Sequence, residues 1–376
     1  MTKHAKLSAS GSSKWLNCPG SINAEEGYED KSSIYAKEGT LAHALADKCL
    51  KKEKEAEYYI GKKINKEIIE KDMAQYVQEY LDYVLSHETD TSELMTEQKV
   101  DYSNIYPKQF GTLDAAVINF KSEVIHIFDL KYGKGVKVNA FENTQAQLYA
   151  VGLYNELNFL YDFKKWKFKL HIVQPRINHF DDWDILVKDL MKFIKIATEK
   201  AELAMTKNAP RVPGEKQCQW CKAKASCQPL AKFVEDTLMC EFENLDEIEN
   251  QVLTNERRKI IQDNKYLVES FLKANQDSIF KILESEQEFD GYKLVEGRSI
   301  RKWTNEAEIE LYKKLRKDAY EQKLIGITAA QKLIGKEEID KLTFKPKGKL
   351  TLVQESDKRK AIIMKSIVDE FEEIKS

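Results

Sequence analysis

The chain of 376 residues has no apolar run approaching the roughly 18–20 residues that a bilayer-spanning helix requires. Its opening stretch, MTKHAKLSASGSSKW, lacks the apolar segment of a secretory signal, so the expected location is the cytoplasm. An excess of either charge is missing as well: Lys and Arg number 60 against 62 Asp and Glu, a net charge of -2. That balance excludes a globally basic nucleic-acid binder and confines any basic surface to local patches. Internal repeats and low-complexity tracts are absent. Cysteine is scarce, 6 in all. In a reducing compartment these are not expected to pair as disulfides, so their spacing is judged as metal chemistry. What the chain does have is 42% apolar residues, enough for a sizeable core, and 32% charged residues, which suit a helix-rich exterior. Its length allows two or three domains, or one domain with a large appendage.

Residues 111–131 read GTLDAAVINFKSEVIHIFDLK. Two runs rich in β-branched residues, 115–120 and 124–128, flank the polar turn Lys121-Ser122, the pattern of a buried β-hairpin. Folded about that turn, residues whose numbers sum to 243 face each other, which sets Asp114 opposite Asp129. The strand period of two puts Lys131 on the same face. Paired carboxylates repel unless a cation lies between them, so the hairpin is either a cation seat or a pair of strand ends fraying into solvent.

Upstream, Glu38 and His43 stand where a helix opens that continues past Cys49. Thr40 is an N-cap candidate, and a helix beginning there leaves Glu38 in the preceding loop, free to converge with His43 on one site. Taken alone, a histidine on an apolar helix is more often a hydrogen-bonded core residue than a ligand, and His43 carries that reading too. A helix near residues 72–87 carries Met73, Tyr76, Val77, Tyr80, Leu81 and Val84 at helical spacing, a packing stripe. Residues 94–102 form a strand leading into the hairpin, and Glu97 on it either approaches the site or is solvated. After the hairpin comes a tight basic loop. Lys134 and Lys137, with Lys131, suit a polyanion held against a cation, although no Walker spacing follows the loop glycines. Residues 143–154 form an amphipathic helix with Gln145 and Tyr149 on one face. A strand at 168–174, ended by Pro175, and a helix at 186–206 complete an α/β core around a mixed sheet.

The strongest metal signal is Cys218-Gln-Trp-Cys221 followed by Cys227. Thiolates prefer a set of four, and Cys18, Cys49 and Cys240 are the candidates for the open place; the last two read as ordinary buried thiols. The expected domain boundary falls near residues 229–241, giving a core over 1–235 and a mainly helical C-terminal domain over 236–376. In that domain Arg298, Arg301 and Lys302 beside Trp303 suit nucleic-acid contacts, and equally a solvated strand edge guarded against aggregation.

Taken in order, Glu38-Gly39-x-x-x-His43, Gly111-x-x-Asp114, Asp129-x-Lys131 and Gln145-x-x-x-Tyr149 resemble the RecB-like branch of the PD-(D/E)XK nuclease superfamily. With one cysteine ahead of the histidine and three after the core, the chain is also similar to the iron–sulfur members of that branch, the CRISPR-associated nucleases and the AddB nuclease domain. The stretch Trp15-Leu16-Asn17-Cys18-Pro19 and the helical tail resemble the phage-encoded DUF2800 family over the whole length. The nuclease resemblance spans residues 8–230, with Asp129 where many superfamily members have Glu.

That resemblance implies an α/β PD-(D/E)XK core, a mixed central sheet flanked by helices, and a divalent-metal-dependent DNA exonuclease serving phage recombination or repair. It implies Mg²⁺ or Mn²⁺ held by His43, Asp114, Asp129 and the backbone carbonyl of Leu130. Lys131 would be catalytic beside the two aspartates, with Glu38 in support. Gln145, Tyr149, Lys134, Lys137, Arg298, Arg301 and Lys302 would meet DNA. Cys18, Cys218, Cys221 and Cys227 would hold a [4Fe–4S] cluster, although four cysteines equally suit Zn²⁺. Expected partners are DNA ends, single- or double-stranded, and a single-strand annealing or binding protein, with room for an oligomer. The competing readings are a non-cleaving DNA-end-binding or assembly protein on the same scaffold, and an RNA or flap endonuclease.

Overall fold

The computed structural model describes residues 5–28, 34–52, 54–239, 254–285 and 287–295, with positions 331, 335–337 and 340 beyond them. Cys240, Arg298, Arg301 and Lys302 lie outside the described residues. The chain divides into a compact unit Met1–Val295 and a second unit Glu296–Ser376.

In the first unit, α1 (Ser12–Asn17) and α2 (Ser21–Ala24) flank Cys18, followed by α3 (Ile34–Lys52), a ribbon of β1 (Lys63–Ile64) and β2 (Glu67–Ile68), and α4 (Lys71–Leu85). Next come β3 (Ser92–Asp101), β4 (Phe110–Asn119), β5 (Val124–Leu130), α5 (Thr144–Leu157), β6 (Lys167–Gln174), β7 (His179–Leu186) and α6 (Val187–Ala204). The short α7 (Glu215–Cys218), α8 (Gln228–Leu238), α9 (Asn255–Asp263) and α10 (Lys265–Glu284) follow. The main sheet has the order β3-β4-β5-β6-β7. Its neighbours are antiparallel except β5 and β6, which run parallel because α5 crosses between them. The α/β class with a mixed sheet flanked by helices is therefore the observed architecture.

The hairpin closes in the expected register, Ala115 against Phe128 and Ile118 against Ile125. As the third strand of five, β5 is covered on both sides, which is why its apolar run is continuous rather than alternating. Ile125 and Ile127 join Leu148 and Val151 of α5 and Leu190 and Ala197 of α6 on one face. Phe128 and Leu130 join Leu41 and Leu45 of α3 and Val77 and Leu81 of α4 on the other.

One strand went unannounced by the sequence pattern. β7 reads HFDDWDIL, and its aspartates argue against a strand by propensity alone. Asn178, at φ 49°, supplies the left-handed turn that brings it back along β6. Its charges lie on a sheet edge, where Lys169 of β6 meets Asp182 at 2.8 Å.

Past the sheet, Cys218 is buried with Leu230 and Val234 of α8 and Leu267 and Val268 of α10. Lys224 Nζ donates to Ser270 Oγ at 2.9 Å. α10 thus packs on the cysteine segment within the first unit. Among the described residues, no helix is long and apolar enough to cross a membrane.

Candidate active site

Beyond the Ala115–Phe128 pair that ends the β4–β5 ladder, one step of the same register sets Asp114 opposite Asp129. Asp114 uses both oxygens. Oδ2 accepts the backbone N–H of Leu130 at 2.7 Å, and Oδ1 stands 3.0 Å from His43 Nδ1 of α3. On the neighbouring carboxylate, Asp129 Oδ2 lies 2.7 Å from Lys131 Nζ. That ammonium also donates to Gln145 Oε1 at 2.8 Å, and Gln145 Nε2 donates to the Tyr149 hydroxyl at 2.9 Å. Lys131 is held through its backbone too, since its N–H donates to Val173 O at 2.8 Å. The structure thus brings His43, Asp114, Asp129, Lys131, Gln145 and Tyr149 together.

Two expectations are corrected. α3 already begins at Ile34, so Glu38 sits inside the helix and Thr40 is no N-cap; the Thr40 hydroxyl donates to Ala36 O, one turn back, at 2.9 Å. Glu38 is therefore turned away from His43, and its carboxylate accepts from Arg176 Nη1 at 2.9 Å. Tyr149, expected at the DNA backbone, is only 5% exposed. Its ring packs over Gly111, where an added Cβ would stand 2.9 Å from Cε1. This packing gives the Gly111-x-x-Asp114 spacing a physical reason, and it leaves the Tyr149 hydroxyl to serve Gln145. Lys134 and Lys137 lie exposed on the loop after β5.

Two further groups belong to the site. Glu97 of β3 faces the gap in the β3–β4 ladder between the pairs Thr96–Ala115 and Gln98–Leu113, across from Asp114. It takes φ 46°, a left-handed conformation uncommon outside glycine. Its carboxylate, with His43 and Asp114, forms a trio whose ligand atoms lie within 4.8 Å of one another. Although the residue is exposed, burial of the carboxyl end and then the Asp114 charge push Glu97 up to about 7. Tyr80 of α4 is wholly buried, and its hydroxyl feels Asp114, Asp129 and Glu97 after the dominant effect of burial. The β3–β4 register was the signal that could have placed Glu97. For Tyr80, helical spacing alone gives a core residue.

The electrostatics describe a centre short of positive charge. Burial pushes the Asp129 carboxyl up, Asp114 adds to this, and Lys131 pulls against it. Burial alone would lower His43, but the charge and hydrogen bond of Asp114 overrule it and raise the imidazole to about 9. In the metal-free protein this pairing adds stability that is fully present below the unfolded value of about 6.5. That contribution is lost as pH rises through about 9. Melting temperatures of the wild type and His43→Asn in EDTA should therefore differ most below about pH 6.5 and converge above about pH 9; parallel curves across that window would remove the ion pair.

The residues fit a hard divalent cation. Asp129 Oδ2 and the Tyr80 hydroxyl are buried and, the Lys131 contact aside, have no hydrogen-bond partner among the described residues. The 3.0 Å between His43 Nδ1 and Asp114 Oδ1 matches the edge of an octahedron of radius about 2.1 Å. Carboxylate oxygens with a single imidazole suit Mg²⁺ or Mn²⁺.

Elsewhere, Cys18, Cys218, Cys221 and Cys227 line one cavity with Ser21, Arg211 and Lys224. Cys18 Sγ accepts the Val212 N–H at 3.2 Å. Burial raises the thiols of Cys18 and Cys218, and that of Cys221 to about 11. Cys49 lies apart in the α3–α4 core, where burial pushes its thiol to about 12.

Fold and centre together define a helix-flanked mixed-sheet protein with acidic, imidazole and ammonium groups gathered at the ends of two central strands. The chain belongs to the DUF2800 family, described as a protein of unknown function, whose model matches residues 4–360. Two solved structures are similar to it. The crystal structure of SSO0001 is 16% identical and covers 61% of this chain and 88% of its own, with a TM-score of 0.30. That of a "Putative exonuclease" from Eubacterium rectale is 11% identical and covers 65% of this chain and 93% of its own, with a TM-score of 0.34.

Proposed function

We propose that this protein is a divalent-metal-dependent nuclease that hydrolyses phosphodiester bonds in DNA, working from ends to expose single strands for phage recombination or repair. The observation that carries this reading is the convergence of His43, Asp114, Asp129 and Lys131, separated along the chain, on one partly buried centre. His43, Asp114, Asp129 and the carbonyl of Leu130 would hold Mg²⁺ or Mn²⁺, which would supply a bound water of lowered pKa and positive charge opposite the scissile phosphate. Lys131 stabilises the charge that develops there. Because Asp129 and Gln145 hold its ammonium beforehand, little reorganisation is needed at the moment of reaction. Gln145, itself fixed by Tyr149, positions Lys131. Glu97 sits beside the metal ligands and tunes their charge.

Lys134 and Lys137, exposed on the loop after β5, meet the DNA backbone; Arg298, Arg301 and Lys302, outside the described residues, are proposed as further DNA contacts. Cys18, Cys218, Cys221 and Cys227 hold a [4Fe–4S] cluster. The four line one cavity, and four cysteines equally suit a tetrahedral Zn²⁺; elemental analysis of protein purified anaerobically decides between cluster and ion.

The test is digestion of end-labelled single- and double-stranded DNA with Mg²⁺, Mn²⁺ or EDTA. Divalent-dependent release of the label is the expected result, with the labelled end giving the direction. DNA that is bound but left intact under every metal condition overturns the assignment and favours the end-binding protein.

A further inference from the structure

Three histidines meet away from the acidic centre, on the α4 face of the sheet. Pairing of β5 with β6 sets Phe128 beside His171 and His126 beside Lys169, so His126 and His171 share a face. His87, just past the end of α4, closes over them. The ring centroids are 4.8 Å apart for His87–His126, 4.8 Å for His87–His171 and 5.2 Å for His126–His171. One nitrogen from each ring lies within 4.8 Å of the other two.

We infer that His87, His126 and His171 form a second metal site, which takes one divalent ion of the Zn²⁺ class. Nitrogens about 2.0–2.1 Å from a tetrahedral ion hold imidazole centres about 5 Å apart, the spacing already present. Metal-binding imidazoles are oriented by partners on their remote nitrogens, and Tyr83 supplies two of these. Its carbonyl lies 2.8 Å from His87 Nδ1 and its hydroxyl 3.1 Å from His171 Nδ1. With Nδ1 protonated in both rings, His87 Nε2 and His171 Nε2 are left as ligands; His171 Nε2 already stands 3.0 Å from His126 Nδ1. Among the described residues no carboxylate joins the trio, and nearby Asp182 is engaged by Lys169 at 2.8 Å. A purely imidazole set favours Zn²⁺, Ni²⁺ or Cu²⁺ over Mg²⁺, the opposite preference to the acidic centre. Burial lowers His126 to about 4 and His171 to about 2, keeping both rings neutral as ligation requires. Water completes the fourth position, and the ion pins the end of α4 to β5 and β6.

The test uses the full chain carrying Asp114→Ala, so that the acidic centre does not count, alone or combined with His87→Ala or His126→Ala. Each protein is stripped with chelator, loaded with Zn²⁺, desalted and analysed for zinc. Zinc held by the cysteines is common to all three and cancels in the difference. The parent should retain one more equivalent per chain than either histidine variant, and Zn²⁺ should raise its melting temperature more. Equal zinc content and an equal thermal response in all three overturn the site. Imidazole ¹⁵N shifts of the parent give a reading independent of variant folding: Zn²⁺ should move those of three histidines, and unmoved resonances refute the inference.

Discussion

Lys131→Met is expected to lower kcat for DNA cleavage about 10²–10³-fold, the usual effect of removing one preorganised electrostatic group from an active site, with little change in KM. The ammonium stands 2.7 Å from Asp129 and 2.8 Å from Gln145, so its position is set before substrate arrives. Its loss also leaves Asp129 buried without its cation, and an unpaired buried charge destabilises the fold. Part of that cost is offset because burial already biases this carboxyl toward its neutral form. A fall in activity could therefore be blamed on folding, and Lys131→Arg separates the two causes. The guanidinium restores the positive charge beside Asp129, but it is planar and larger and does not reproduce a compact ammonium. Lys131→Arg should thus recover most of the melting temperature and little of the activity. Recovery of both would make Lys131 a structural partner of Asp129 and nothing more.

Much of this centre is legible from strand arithmetic. A two-residue period and a polar turn fix the β4–β5 register, and with it the approach of Asp114, Asp129 and Lys131. Asn143 caps α5 by accepting the Ala146 N–H at 3.1 Å, which places Gln145 and Tyr149 on the side facing Lys131. What escaped depends on contacts between elements distant in sequence. A threonine can cap a helix or bond back to the preceding turn inside one, and Thr40 does the second, which swings Glu38 toward Arg176. Arg176 follows β6, far along the chain, and nothing local announces it. For Glu97, which the sequence left between site and solvent, an irregularity in the β3–β4 ladder decides for the site, and Tyr80 is brought near the acids by the packing of α4 on the sheet. In both cases the local pattern is that of an ordinary strand or core residue. β7 is the same lesson for the fold, a strand formed by pairing with β6 despite its composition.

With the proposed [4Fe–4S] cluster on its four cysteines, Cys221→Ser should lose iron and about 2–5 kcal/mol of stability, the usual cost of removing a native cross-link, because the cluster would close a loop of about 200 residues between Cys18 and Cys218. The lower end of that range reflects contacts that survive without the cluster. Gly20 N–H donates to Pro210 O at 2.8 Å, Asn23 Nδ2 to Thr206 O at 2.8 Å, and the Lys222 N–H to Glu25 Oε1 at 2.8 Å. These hold the N-terminal turn near the cysteine segment but constrain the unfolded chain not at all. Burial raises three of the four thiols, so they stay protonated near neutral pH until a metal displaces their protons. Iron loading should accordingly release protons, and the difference between wild type and Cys221→Ser should disappear after the iron is stripped. Anaerobic urea denaturation with elemental analysis measures both effects, and Cys49→Ser, whose thiol lies in a different core, should keep its iron. A wild-type protein that purifies anaerobically with zinc and no iron would assign the four cysteines to Zn²⁺. A Cys221→Ser protein with undiminished metal and an unshifted midpoint would take Cys221 out of the site altogether.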